Sequence, residues 1–333
     1  MRRDGYGVGR RLEGATLALA FFWFATAAWA QGWSPQKNVE IVVTSAPGGS
    51  NDKTARTVER ILAVHKLVGA SLTVVNKPGG GSSIAFNYVN QHAGDAHYLL
   101  IGTTGLLTGH ILGTNRMSYQ DFTPIASLFN DYVVFVVNAA SPVKTGKDLV
   151  ERLKKDPKSM PLGVVAVGSH NHVAVGLVLK AAGGNPRDLK TVAFKGSSES
   201  IIQLIGGHIE LVATAGGNAY AHVVTGKLRA VGVAAPQRFG GALAHVPTWR
   251  EQGIDVVMGG WRALVGPKGI TPAQVAYWEE VLRKATATKE WKEDLEKNFW
   301  SDDFVTSAQF SKDLAKDYAD MKALLSELGL AKQ

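Results

Sequence analysis

The chain has 333 residues, 45% hydrophobic and 19% charged, with no cysteine and a formal charge of +8. That length fits about two domains of roughly 150 residues, and the composition excludes a chain too polar to build a core. The missing cysteine excludes a disulfide framework, a thiolate zinc site, a Cys nucleophile and a lipid-bearing N-terminal Cys. The excess positive charge is spread along the chain, with no dense Lys/Arg run or aromatic platform, which argues against a nucleic-acid partner.

Arg2, Arg3, Arg10 and Arg11 precede an uncharged run over 15–28, and Ala28-Trp29-Ala30 follows the small-x-small rule. A basic start, a short apolar run and such a site make residues 1–30 a signal peptide cleaved after Ala30. The run spans about 21 Å as a helix, short of a bilayer core of about 30 Å. The mature chain is therefore expected to be exported and soluble.

From residue 39 onward, strands and amphipathic stretches alternate. A β-branched run over 39–44 leads through Ala46-Pro-Gly-Gly-Ser50 into a helix over 52–67. A strand over 72–76, a turn over 77–82, a helix over 84–91 and a strand over 98–103 follow. Three strand-turn-helix units predict a parallel sheet wrapped by helices. Two apolar runs, 124–129 and 132–138, are split only by Asn130-Asp131, where a crossing between domains is expected. A second series follows: strands over 162–167, 191–194, 209–214 and 228–234, with helices over 171–182, 199–205 and 219–225. A strand over 256–266 returns to the first domain, and helices over 273–286, 289–298 and 307–328 finish the chain. The domains are expected at 31–131 plus 252–333, and at 132–251. Two such lobes joined by two strands leave a cleft, and ligands of open α/β sheets bind beyond the strand carboxyl ends.

The chemistry lies in the turns. Pro47-Gly48-Gly49-Ser50 with Asp52, Gly79-Gly80-Gly81-Ser82-Ser83, Gly168-Ser169-His170-Asn171, Gly196-Ser197-Ser198 and Gly216-Gly217-Asn218 each open a helix. Helix N-termini carry unpaired N–H groups and partial positive charge, glycine lets a ligand approach, and short polar side chains add donors. Any one such turn reads equally as an ordinary N-cap. Five in two lobes point to a small anion. Enzyme readings are thinner. Gly79-x-Gly81-x-x-Ile84 lacks the third glycine of a dinucleotide fingerprint. Gly48-x-Ser50-x-Asp52 ends a nucleophile-elbow pattern on the wrong residue. His170-Asn171-His172 has no third metal ligand in register. No catalytic or metal-binding residues and no cofactor are expected. Of the later tryptophans, Trp261 is the one expected at the cleft or hinge.

In order along the chain, Pro47-Gly-Gly-Ser-Asn-Asp52 with Ala55-Arg56, Asn76-Lys-Pro-Gly-Gly-Gly81, Tyr98-Leu-Leu-Ile-Gly-Thr103, Gly206-Gly-His-Ile-Glu210, Gly226-Lys-Leu-Arg-Ala230, Val246-Pro-Thr248 and Trp261-x-x-Leu264-x-x-Pro267 form a set. That ordered set resembles the substrate-binding proteins of tripartite tricarboxylate transporters, the Bug or TctC family. The departures are Ser82 and Ala85 where the family often has glycine, Trp249–Gly253 after Val-Pro-Thr, and Phe194 in the aromatic-Lys-Gly segment. The resemblance implies a two-lobed periplasmic binding protein type 2 fold, each lobe a mostly parallel sheet flanked by helices, with two crossover strands and a ligand cleft. It implies a non-enzymatic periplasmic receptor that hands a small organic acid to the membrane permease subunits, and a monomer is expected because a hinge that opens and closes is simplest with free lobes. Carried over by position, Gly48, Gly49, Ser50, Gly81, Ser82 and Ser83 would hold one carboxylate, with Asp52 fixing the loop. Thr103 and Thr104 would adjoin it, and Ser169, His170, Lys195, Ser197 and Asn218 would read the rest of the ligand. The competing readings are an exported α/β hydrolase using Ser50 and a ligand-sensing partner of a membrane receptor.

Overall fold

The computed structural model describes residues 32–194 and 196–332. The expected signal peptide and Lys195 lie outside the described residues. Ser34–Gln333 forms one compact unit.

The first lobe starts with β1 (Val39–Val43), α1 (Ser50–Val64), β2 (Leu72–Asn76), α2 (Ser83–Asn90) and β3 (Tyr98–Thr103). The β-branched run of β1 is buried, so it sits between parallel neighbours β2 and β3. A short α3 (Gly105–Ile111) leaves the end of β3, and β4 (Phe122–Asn138) runs on for 17 residues. The expected break at Asn130-Asp131 is therefore a continuous strand.

The second lobe repeats the pattern. After α4 (Gly146–Lys155) come β5 (Leu162–Val164), α5 (His170–Ala181), β6 (Thr191–Ala193), α6 (Ser197–Ile205), β7 (Leu211–Ala215), α7 (Gly216–Val224) and β8 (Leu228–Val233). β5 pairs in parallel with β6 and β7, so β6-β5-β7 reproduces β2-β1-β3. The chain returns through β9 (Gly259–Pro267), which begins three residues later than the sequence suggests. It ends in α8 (Pro272–Thr286), α9 (Lys289–Asn298), β10 (Trp300–Ser301), β11 (Val305–Thr306) and α10 (Ser307–Glu327). Both lobes add antiparallel strands to three parallel ones. β9 and the first part of β4, with the short β10 and β11 paired to it, complete the first sheet, while the second part of β4, with β8, completes the second. β4 changes partners between Tyr132, opposite Gly259, and Val133, opposite Ala215.

Burial follows this division. Val133, Phe135 and Val137 face one second-lobe core with Trp249, and Val134 and Val136 face another with Phe239. That alternation is the period of two expected of a strand covered on both faces. The first-lobe core gathers Val42, Phe86, Leu100, Trp261 and Phe310. A smaller cluster of Ile111, Val173, Met321, Leu325 and Leu328 joins α3, α5 and the end of α10. The final helix is thus a third bridge between lobes besides the two strands. Among the described residues no helix is long and apolar enough to cross a membrane.

Candidate functional site

The two glycine turns of the first lobe are tied together by one carboxylate. Asp52, in the first turn of α1, is 3% exposed. It accepts the Gly48 N–H, the Arg56 Nε–H and the Asn76 Nδ2–H, each at 2.9 Å. Burial works against ionisation, and the bonds from Arg56, Gly48 and Asn76 outweigh it, so the carboxyl lies below its ordinary range. Asn76 ends β2 and also donates to the Ser45 carbonyl. One side chain therefore fixes the Gly48 turn against the strand that leads to the Gly79 turn. Gly48 needs its freedom there, at φ +82°. In the second turn Gly79, Gly80, Gly81 and Ser82 all have positive φ, and Ser82 at +79° is a serine in left-handed backbone. Such a departure carries strain of about 1–2 kcal/mol. Ser83, next along, opens α2.

Side-chain capping separates the helix starts only in part, since α3 and α10 also begin without a side-chain cap. α4, α8 and α9 are capped by Thr145, Thr271 and Thr288 side chains. The starts of α1, α2, α6 and α7, which follow four of the five glycine turns, have no side-chain cap. Their first-turn N–H groups stay available at the carboxyl ends of the strands, where an anion is bound best. α5 is the exception, because Ser169 Oγ accepts the His172 N–H. Ser197 is the first residue of α6, and Asn218 in α7 donates to Thr214 Oγ1 at 3.2 Å.

Between the lobes lies a charged centre that the sequence did not disclose. Arg262 on β9 pairs in register with Thr103 and is 5% exposed. Its Nη1 donates to the carbonyls of Gly260 and Trp261 at 2.9 and 3.3 Å. Its Nη2 reaches Ser50 Oγ at 3.5 Å and Asp131 Oδ2 at 3.4 Å. Asp131, on β4, is 1% exposed, and burial pushes its carboxyl up to about 6 against the pull of Arg262 and Lys53. Lys53, with its stem exposed on α1, turns its ammonium onto Asn298. From the second lobe, the half-buried His170 sets its ring against the backbone of Gly260 and within 3.5 Å of Thr104 Oγ1. A Cβ on Gly260 would meet that ring at 2.9 Å, so glycine is required for the lobes to meet here. Desolvation, with Arg262 nearby, drives His170 down to about 3, so it is a neutral donor or acceptor at neutral pH.

The structure thus brings Ser50, Thr103, Thr104 and His170 together around Arg262, and ties Gly48 and Asp52 to them. The Gly81–Ser83 turn adjoins Thr114, and Ser197 and Asn218 sit at separate helix starts. Trp261 is not at the cleft. It is buried under α10, edge-on to Phe310, with its Nε1–H on Asp317. In a strand, neighbouring side chains point to opposite faces, so the residue that reaches the cleft is the next one, Arg262. Ser50 gives the hydrolase reading no support. Among the described residues its hydroxyl has Arg262 as its side-chain partner, and a guanidinium cannot take up a proton.

Comparison with known proteins agrees with this architecture. A protein of Cupriavidus necator, described as a UPF0065 protein in the gbd 5' region, is 27% identical over 336 residues, covering 100% of this chain and 99% of that one. A ligand-free TctC solute-binding protein from Polaromonas is 28% identical and superposes with a TM-score of 0.70 over 88% of this chain and 99% of its own. An R. palustris protein with adipate superposes at 0.80 over 89% of this chain and 99% of its own, at 23% identity, and so speaks to the fold alone. The family model described as tripartite tricarboxylate transporter family receptor matches residues 55–330, and the chain belongs to that family.

Proposed function

We propose that the protein is an extracytoplasmic receptor that closes on a small organic anion, a mono- or dicarboxylate, and delivers it to a tripartite tricarboxylate-type membrane permease. The family is one of receptors and not of enzymes. The observation that carries the reading is the uncapped start of α1, α2, α6 and α7 beside glycine turns, with the first turn locked by Asp52 to the end of β2, the strand that leads to the second. N–H groups left without side-chain caps at helix starts suit a carboxylate and ask for no covalent chemistry. In this reading Gly48, Gly49, Ser50, Gly81, Ser82 and Ser83 hold one carboxylate. Thr103, Thr104, Ser169, His170, Lys195, Ser197 and Asn218 approach the rest, and Asp52 supports the loop. The moving bodies would be 31–131 with 252–333, and 132–251. A basic, apolar, Ala-x-Ala leader over 1–30 supports export to the periplasm. The relative with adipate favours a dicarboxylate as the first ligand to test.

The test is native mass spectrometry of the mature chain as purified, followed by calorimetric titration with adipate, malate and benzoate. One acid bound per chain, with a raised melting temperature, is the expected result. No binding of any of them at millimolar concentration, with no organic acid released from the purified protein, would sink the reading.

A further inference from the structure

Arg262 has five N–H donors and short use for few of them. The Nη1 edge is spent on the carbonyls of its own strand at Gly260 and Trp261. The other edge, Nε with Nη2, is the fork that binds a carboxylate side-on. There Nε has no hydrogen-bond partner among the described residues, and Nη2 has only the 3.4 and 3.5 Å contacts to Asp131 and Ser50. Bonds between ionised partners ordinarily close to about 2.7–2.9 Å. Asp131 is equally under-used, since its Oδ1 also lacks a partner. A buried pair this loose does not recover the cost of taking both charges out of water.

The neighbouring charges leave that edge free as well. Lys53 turns its ammonium onto Asn298 and feels Asp294 as well as Asp131. His170, packed against Gly260, is neutral. The Asp52 carboxylate is already bound by Arg56, Gly48 and Asn76. Among the described residues no carboxylate but Asp131 reaches the loose edge of Arg262, which meets Ser50, the last residue of the first glycine turn.

We propose that Arg262 is a ligand-binding residue, whose Nε–Nη2 edge takes a carboxylate of the bound anion beside Ser50, in competition with Asp131, which lies 3.4 Å from Nη2. This rests on the receptor reading above. It adds a charged, two-pronged contact to a site otherwise built from backbone N–H groups and short side chains. It also makes selectivity for a carboxylate over an isosteric amide a property of one side chain on the returning strand.

The experiment titrates wild type, Arg262→Met, Arg262→Lys and Asp131→Asn with adipate, malate and benzoate by calorimetry, with circular dichroism melts of each. Arg262→Met should weaken the best-bound acid about 10- to 100-fold, the loss of a charge-assisted bond. Arg262→Lys keeps the charge without the fork and should weaken it by less. Asp131→Asn removes the competing carboxylate and should tighten binding several-fold, which a purely structural ion pair would not do. If Arg262→Met does not fold, Arg262→Lys and Asp131→Asn decide. Wild type that binds an acid while the Arg262 variants bind it within twofold overturns this proposal and leaves the receptor reading standing. Wild type that binds none of the three acids overturns both.

Discussion

Replacing Asp52 by alanine tests whether one carboxylate organises both glycine turns. The two covered bonds, from Gly48 N–H and Asn76 Nδ2, are both 2.9 Å and both end on an ionised group. Each such bond is worth about 1.5–3 kcal/mol. The third partner, Arg56, is 53% exposed, so its bond adds at most about 1 kcal/mol. Water entering after truncation recovers part of the loss. The expected cost of Asp52→Ala is therefore about 3 kcal/mol, a large share of a typical 5–15 kcal/mol. Urea unfolding followed by two probes measures it, and Asn76→Ala and Arg56→Ala serve as controls. Asn76→Ala should cost more than Arg56→Ala, because its amide is the covered link between turns. Ligand affinity should fall with Asp52→Ala and stay near wild type with Arg56→Ala. The pH dependence has a definite sign. The folded carboxyl titrates below its ordinary 3.8, so its contribution is present above that value and is lost as pH falls through the folded value. The gap between wild type and Asp52→Ala should close as pH drops below about 4. A cost under about 1 kcal/mol, or Arg56→Ala as damaging as Asn76→Ala, refutes the argument that buried bonds to both turns matter.

Three further outcomes follow from the same geometry. Ser82→Gly removes strain of about 1–2 kcal/mol and adds a glycine entropy cost of about 0.5–1 kcal/mol. It should stabilise slightly, and a lowered urea midpoint would contradict this. Gly217→Val places a Cβ 3.1 Å from the Asn298 carbonyl oxygen and 3.4 Å from its Cα, both backbone. The start of α7 must then draw back slightly from the end of α9, so ligand affinity and melting temperature should both fall, and unchanged values would contradict this. His170 and Asp131 oppose each other in acid. His170 titrates at about 3, below its ordinary 6.5, so its contribution is present above 6.5 and lost as pH falls. Asp131 titrates at about 6, above its ordinary 3.8, so its contribution is present below 3.8 and lost as pH rises through about 6. Between those limits, His170→Gln should flatten the acid loss of stability and Asp131→Asn should steepen it. Melts across that range, with both variants changing the slope in the same direction, would contradict the assignment.

The repeated β-α-β units were legible because their signal is local. The buried run of β1, the turn after it and the 3.6-residue spacing of α1 sit within a few residues of one another. Another local signal was present and passed over. Thr145 and Asp148 form a capping box before Leu149, Val150 and Leu153, and that pattern marks α4. The short α3 carried less, with glycine at its first and fifth positions. The continuous β4 was hidden for a different reason. Asn130 and Asp131 look like a break, yet Asn130 is held by Ser301 and Asp303, and Asp131 by Arg262, all more than 130 positions away. No spacing rule reports a partner at that distance.

The cleft centre was lost by a single residue. An aromatic on the returning strand draws the eye, and Trp261 does lie on β9. Strand register then decides which of two neighbours meets the ligand, and register is set by pairing with β3 and β4, opposite Thr103 and Phe129 at Arg262. Once β9 is placed, alternation puts the indole in the first-lobe core and the guanidinium beside Ser50. The turns could be read because a helix start announces its own N–H groups. The charged pair that sits among them, Arg262 and Asp131, belongs to strands from two distant parts of the chain, and only the assembled sheet brings it there. A slip of β9 by one residue would drive the cation into the apolar first-lobe core and turn the indole towards Ser50, and the glycine at 260 matters twice. It admits His170 from the opposite lobe, and its carbonyl holds the Nη1 of Arg262, so the same peptide unit sets both the approach of the lobes and the aim of the charge between them.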